Sequence, residues 1–404
     1  MELTYLDWVV LIIFLGFLLF FLNPKLERNR TWTATVTPLA SIIGSGYLVS
    51  APLLYFAVKD YAFLAMLGIV ILAYLIGEAI RFNILYEEPL LQKAPSHGFA
   101  LVIKDIERFS NLVLSFAYMI SVAFYLRLLS AFIFTGFFHK NDLYENLLTT
   151  AILLFIGISG YLKGLDFLEF LEKYAVAIKL SVIFTFLITL LVHDISIGFH
   201  FKGEYKPINF QTLEILAGIL LIVQGFETSK YLGEKYTPQE RVKTMRLAQL
   251  ISGFIYVSFI FLVTPILYLL DKTKLDETAI ILLAASISMV MGFLMKTGPL
   301  MSQFSAAVAD TIGSGGLIYT ETHGRISSRT GYLMLALIDI AIVWSLNIFG
   351  IIAYASKAFA FYYALQTAIA ALIAFKNRRW FYFLLFFILI WVLLFITIFG
   401  KSAE

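Results

Sequence analysis

Along the whole 404-residue chain, runs of mainly apolar residues alternate with short polar connections that carry most of the lysines and arginines. About 20 helical residues cross a hydrocarbon core, so each run of roughly 15 to 32 residues predicts a membrane span. The expected spans are Trp8 to Leu22, Thr33 to Val58, Phe63 to Tyr86, Ile106 to Phe137, Leu147 to Leu162, Leu171 to Val192, Leu213 to Tyr231, Leu247 to Leu270, Thr278 to Ala309, Tyr332 to Phe349, Ile351 to Phe375 and Trp380 to Phe399. The predicted fold class is all-α, a polytopic membrane protein of about 12 transmembrane helices. Two spans are interrupted. The first holds Ile42-Ile43-Gly44-Ser45-Gly46, and the other holds Val223-Gln224-Gly225-Phe226-Glu227. A membrane helix pairs its own backbone groups, so a break at mid-depth survives only where protein, water or a ligand replaces the lost partners. Two breaks in corresponding halves point to a central ligand site.

Composition and charge support the span assignment. With 60% hydrophobic and 14% charged residues, too little polar side chain exists to cover a soluble globule. Lys and Arg concentrate on the cytoplasmic side of membrane proteins, and alternate loops here differ accordingly. One set carries about 19 basic residues, including the dense Lys230 to Arg246 segment and Lys376-Asn377-Arg378-Arg379, against about 7 in the other. Both termini are therefore expected outside the cell membrane. The net charge of +3 follows from this bias and signals no nucleic acid partner. Acidic Glu2 and Asp7 precede the first span and basic residues follow it, the reverse of a secretion signal, so that span reads as a retained anchor. Cysteine is absent, and the histidines show no metal-ligand spacing. No enzyme motif, cofactor or metal is expected.

Setting the first and last spans aside leaves ten, divisible into five plus five. An odd number per half turns the halves to face opposite ways, so the two broken helices cross antiparallel and meet at mid-membrane. The expected units are 1–30, a peripheral helix and linker; 31–192 and 193–375, two inverted five-helix repeats; and 376–404, a peripheral C-terminal helix.

Several motifs in register carry a resemblance. Ile42-Ile43-Gly44-Ser45-Gly46 followed by Pro52, Glu78-Ala79-Ile80-Arg81-Phe82, Lys179-Leu180, Gly225-Phe226-Glu227, and Glu234 with Pro238 fall in order. Together they resemble the amino acid-polyamine-organocation (APC) superfamily of secondary transporters. The resemblance implies a LeuT-like 5+5 inverted-repeat core and alternating-access transport of an amino acid or related small amine. It covers roughly Thr33 to Arg246. Where members often carry a bulky aromatic gate, this chain reads Ile222-Val223-Gln224.

The candidate substrate-binding residues are Ile43, Gly44, Ser45 and Gly46 at the first break, with Val223, Gln224, Gly225, Phe226 and Glu227 at the second. Free amides at a half-helix end attract carboxylates, and free carbonyls attract cations. Close helix packing through small residues is the competing reading of the glycines. Glu227 is a candidate for a substrate amine, a coupling proton or a structural hydrogen bond.

Lys179 lies inside an apolar span, where an unpaired charge costs at least about 2.5 to 3.5 kcal/mol. In some APC-type carriers the matching amine occupies the sodium region of sodium-coupled relatives, which implies coupling to protons through Lys179. A fixed charge bracing two helices is the alternative. Ser302 and Ser305, three apart, form an alternative sodium site, although sodium and an ammonium in one pocket repel strongly. Arg127 and Lys296 read as possible pathway residues, and Gly313-Ser314-Gly315-Gly316 as a flexible cytoplasmic connection. A non-transporting, receptor-like membrane protein is the remaining alternative for function.

Overall fold

A computed structural model describes residues 4–44, 46–92, 98–137, 141–199, 201, 203–269, 277–345 and 348–401. Helix α1 (Tyr5–Phe21) is followed by a short turn of helix, α2 (Pro24–Glu27). The first broken span comprises α3 (Arg30–Ile42) and α4 (Gly46–Val58). Next come α5 (Ala62–Tyr86), the short α6 (Glu88–Leu91), α7 (Phe99–Phe137), α8 (Asp142–Lys163) and α9 (Leu165–Ile197). The second broken span is α10 (Phe210–Leu220) with 3₁₀ turns at Leu221–Val223 and Phe226–Tyr231. The chain closes with α11 (Pro238–Val263), α12 (Glu277–Ile287), α13 (Met289–Glu321), α14 (Ser328–Ser345), α15 (Ile348–Lys376) and α16 (Trp380–Phe399).

Among the described residues nine helices are long and apolar enough to cross a membrane. The two broken spans and α13 complete the twelve expected crossings. Exposure is the reverse of a soluble protein's. Leu19, Leu384 and Trp391 face outward, while Glu172, Lys179, Glu227 and Asp310 are buried. An apolar exterior suits lipid, and the polar interior demands internal partners.

The packing pattern repeats itself. Helix α9 packs on α13 as α15 packs on α7, and α3 packs on α11 as the second broken span packs on α5. These pairs interchange when the five spans starting at α3 are matched with the five starting at α10, as an inverted repeat requires. Helices α1 and α16 lie outside this arrangement, against α9 and α15 respectively.

Two expectations change at α13. The run Thr278 to Ala309 is not one helix, because Ser288 leaves helical geometry and caps α13 by accepting from the Met291 amide at 3.2 Å. Asp7 of α1 reinforces that cap, accepting from Ser288 Oγ at 2.6 Å and the Val290 amide at 3.1 Å. A carboxylate at a helix N-terminus is favourable, and this one also pins the peripheral first helix to the core. Helix α13 then continues to Glu321, so Gly313 to Gly316 is helix interior rather than a flexible connection. A side chain at Gly315 would strike the Tyr332 ring and one at Gly316 the Tyr231 carbonyl. The small residues therefore let helices approach closely.

Candidate functional site

Both interruptions are real breaks, and they meet. Helix α3 ends at Ile42, Ile43 turns out of helical geometry (ψ 70°), and α4 resumes at Gly46; Ser45 lies outside the described residues. In the second span Gly225 takes φ 108°, a left-handed conformation that favours glycine. A Cβ there would overlap the Ser41 side chain of α3. The Tyr256 hydroxyl of α11 sits 3.1 Å from the Ile42 carbonyl and 3.3 Å from the Ile222 carbonyl, bridging the two breaks. Its single proton serves one carbonyl at a time.

At the first break the uncovered groups are carbonyls. Lys179 of α9, 1% exposed, donates from Nζ to Ala40 O at 3.1 Å, Ile43 O at 2.7 Å and Ser305 Oγ at 2.8 Å. Three N–H donors meet three acceptors, the full capacity of an ammonium. Ser302 Oγ adds a bond to Ile43 O at 2.9 Å. A cavity of about 30 Å³ beside Gly44, Lys179 and Ser302 has room for water. Tyr125 of α7 reaches Gly44, its hydroxyl 3.7 Å from where a Cβ would stand.

At the second break the uncovered group is an amide. Gly225 N–H donates to Glu227 Oε2 at 3.1 Å and to the Tyr363 hydroxyl at 3.2 Å. Tyr363 in turn donates to Glu227, and Tyr118 of α7 donates to its other oxygen at 3.3 Å. Phe226 stacks on Tyr363 with centroids 5.0 Å apart. Val223 is buried, and Gln224 keeps Oε1 without a hydrogen-bond partner among the described residues.

Sequence reasoning missed Asp310 on α13, 1% exposed. It accepts from Ser41 Oγ at 2.7 Å and Ser121 Oγ at 2.5 Å, which places it beside the second break. Its only sequence signal was a lone carboxylate one residue beyond the expected end of a span. Tyr256 and Tyr363 were hidden among the many aromatics. Lys296, expected as a possible pathway residue, instead lies on an exposed face of α13. Arg127 donates to Val343 O at 3.4 Å, toward α14. Glu78 and Arg81 form a local ion pair at 2.9 Å.

The second broken span is anchored beyond Glu227. In a 3₁₀ turn residues three apart align, which sets Lys230 on the Glu227 face. Lys230 Nζ lies 2.9 Å from both Glu87 and Glu107 and 2.8 Å from Gln366. This buried cluster borders a cavity of about 740 Å³, whose lining includes Tyr231, Arg241 and Glu321. Arg241 forms a 2.6 Å pair with Glu88 across the same region.

Twelve crossings, opposed five-helix sets and two touching broken helices define a polytopic membrane carrier with an inverted-repeat core. A family profile for "APC superfamily transporter" matches residues 24–400, and the chain belongs to that superfamily. An uncharacterized protein of Aquifex aeolicus (strain VF5) is 63% identical over 403 residues, covering 100% of this chain and 99% of the relative. Among solved structures, MhsT in complex with L-phenylalanine matches with TM-score 0.61 at 13% identity, over 93% of this chain and 99% of that one. A Na+-coupled sialic acid symporter, in a substrate-bound outward-open state, matches with TM-score 0.54 at 12% identity, over 98% of each chain. At such low identity these structures establish the fold, which is LeuT-like. Family and fold make the protein a transporter of a small molecule across a membrane, not an enzyme.

Proposed function

We propose that the protein is a secondary active transporter of an amino acid or related small amine, driven by protons through Lys179. The carrying observation is the Lys179 ammonium, bonded to Ala40 O, Ile43 O and Ser305 Oγ. Carbonyls and hydroxyls converging in this way also suit a sodium ion. Here a tethered cation that can lose its proton stands in their midst. Burial favours the neutral amine and the surrounding acceptors favour the ammonium, so movement of α3 during the cycle changes the balance. Substrate binds at Ile43, Gly44, Ser45, Gly46, Val223, Gln224, Gly225, Phe226 and Glu227, on the two breaks. Residues 31–192 and 193–375 act as the opposed halves, with 1–30 and 376–404 peripheral and both termini outside the cell membrane.

The structural neighbour that holds L-phenylalanine supports an amino acid substrate. The sodium-coupled neighbour supplies the competing reading, sodium held by Ser302 and Ser305. Proteoliposomes separate the two. Uptake of radiolabelled amino acids driven by a pH gradient without sodium is the expected result. Uptake that requires sodium and ignores pH overturns the coupling assignment.

A further inference from the structure

Asp310 is fully enclosed at the junction of α3, α7 and α13, and its described hydrogen-bond partners are two serine hydroxyls. Glu227 lies on the other side of Gly225, held by Tyr118, Tyr363 and a backbone amide. Ser41 and Gly225 touch between the two carboxylates. Among the described residues neither forms an ion pair. Lys179 does not serve them, since its three donors are engaged with α3 and Ser305. A buried carboxylate without a cation is costly. Such a cost is retained where a ligand relieves it.

A second observation points to a ligand. Gln303, 0% exposed, has neither amide atom paired among the described residues. It stands seven residues before Asp310, two turns away on the same face of α13. An unpaired buried amide costs about 1–3 kcal/mol, and a polar ligand lying along this face would pair it. The aromatic surroundings favour an organic cation over a bare ion. Phe226 stacks on Tyr363, and Tyr118 meets Phe359 edge-on at 5.9 Å. Aromatic faces attract ammonium and guanidinium groups and also cover carbon.

We infer that Asp310 anchors an ammonium on the substrate's side chain, with Glu227 adding to the negative potential, so that the transported molecule is a basic amino acid. The α-amino and α-carboxyl groups lie at the two breaks, and the Gln303 amide beside the chain between them. This inference rests on the transport reading above and narrows it to one substrate class.

The test is equilibrium binding to the full chain in lipid nanodiscs with three probes: L-lysine, L-norleucine and cadaverine. Norleucine has nearly the same carbon body as lysine without the side-chain ammonium, and cadaverine lacks the carboxylate. Lysine is expected to bind at least about tenfold tighter than either. Asp310→Asn should weaken lysine about tenfold more than norleucine. Equal affinity for lysine and norleucine, no binding of lysine, or an Asp310→Asn variant that weakens both equally overturns the inference. Cadaverine binding as tightly as lysine overturns the amino acid assignment. If Asp310→Asn does not fold, the lysine-to-norleucine ratio of the unmodified protein decides alone. Proton-driven uptake of norleucine without a lysine preference would remove this inference and leave the transport reading standing. Absence of proton-driven uptake for every probe would remove that reading.

Discussion

At the first break the chain leaves carbonyls uncovered, and an ammonium from α9 covers them; at the second it leaves an amide uncovered, and a carboxylate two residues along covers that. Each half of the molecule thus supplies the charge that suits the exposed end of its own broken helix. The partners differ in origin. Lys179 comes from another helix of its repeat, so its bonds to Ala40 and Ile43 change whenever α3 moves against α9. Glu227 belongs to the break itself, and its bonds to Gly225 travel with the segment. The first arrangement suits a coupling group and the second a fixed scaffold.

Replacing Lys179 by Ala breaks this comparison most severely. Proton-driven uptake in proteoliposomes is expected to fall to background, while size-exclusion profiles show a folded protein. The next largest effect is expected at the far end of the second broken span. Lys230→Met leaves Glu87 and Glu107 buried without their cation, and losing one partner of a buried ion pair costs about 3–5 kcal/mol. Thermal unfolding in detergent should register that loss as a lowered midpoint.

Glycine substitutions then separate the two breaks. Gly225→Ala forces a left-handed residue, about 1–2 kcal/mol, in addition to the overlap with Ser41. Gly44→Ala meets only ordinary contacts at 3.7 Å from Ser41 O and Tyr125 Oη. Unfolding midpoints should therefore fall clearly for Gly225→Ala and little for Gly44→Ala. The smallest effect is expected for Tyr256→Phe, which removes one hydroxyl shared between the breaks and costs about 1 kcal/mol in the same unfolding assay.

Much of this was legible in the sequence because membrane physics makes certain residues conspicuous. Gly44 and Gly46 in an apolar run, and a lysine at position 179 inside another, stand out against a helix that must pair its own backbone. Other features were hidden for equally physical reasons. Hydropathy fixes a residue's depth but not the direction it faces, so Lys296 looked internal although it lies on an exposed face. Glycine clusters serve both flexibility and close packing, and only the neighbouring Tyr332 and Tyr231 reveal which applies at Gly313 to Gly316. Asp310 gains its meaning from Ser41 and Ser121, which are remote in sequence.

The most direct measurement follows protons and substrate together in sodium-free proteoliposomes loaded with a pH-sensitive dye and exposed to an inward-directed substrate gradient. The account predicts that L-lysine entry acidifies the lumen in the unmodified protein and fails to do so in Lys179→Ala. Substrate entry with no change in internal pH, or entry that begins only when sodium is added, would contradict it.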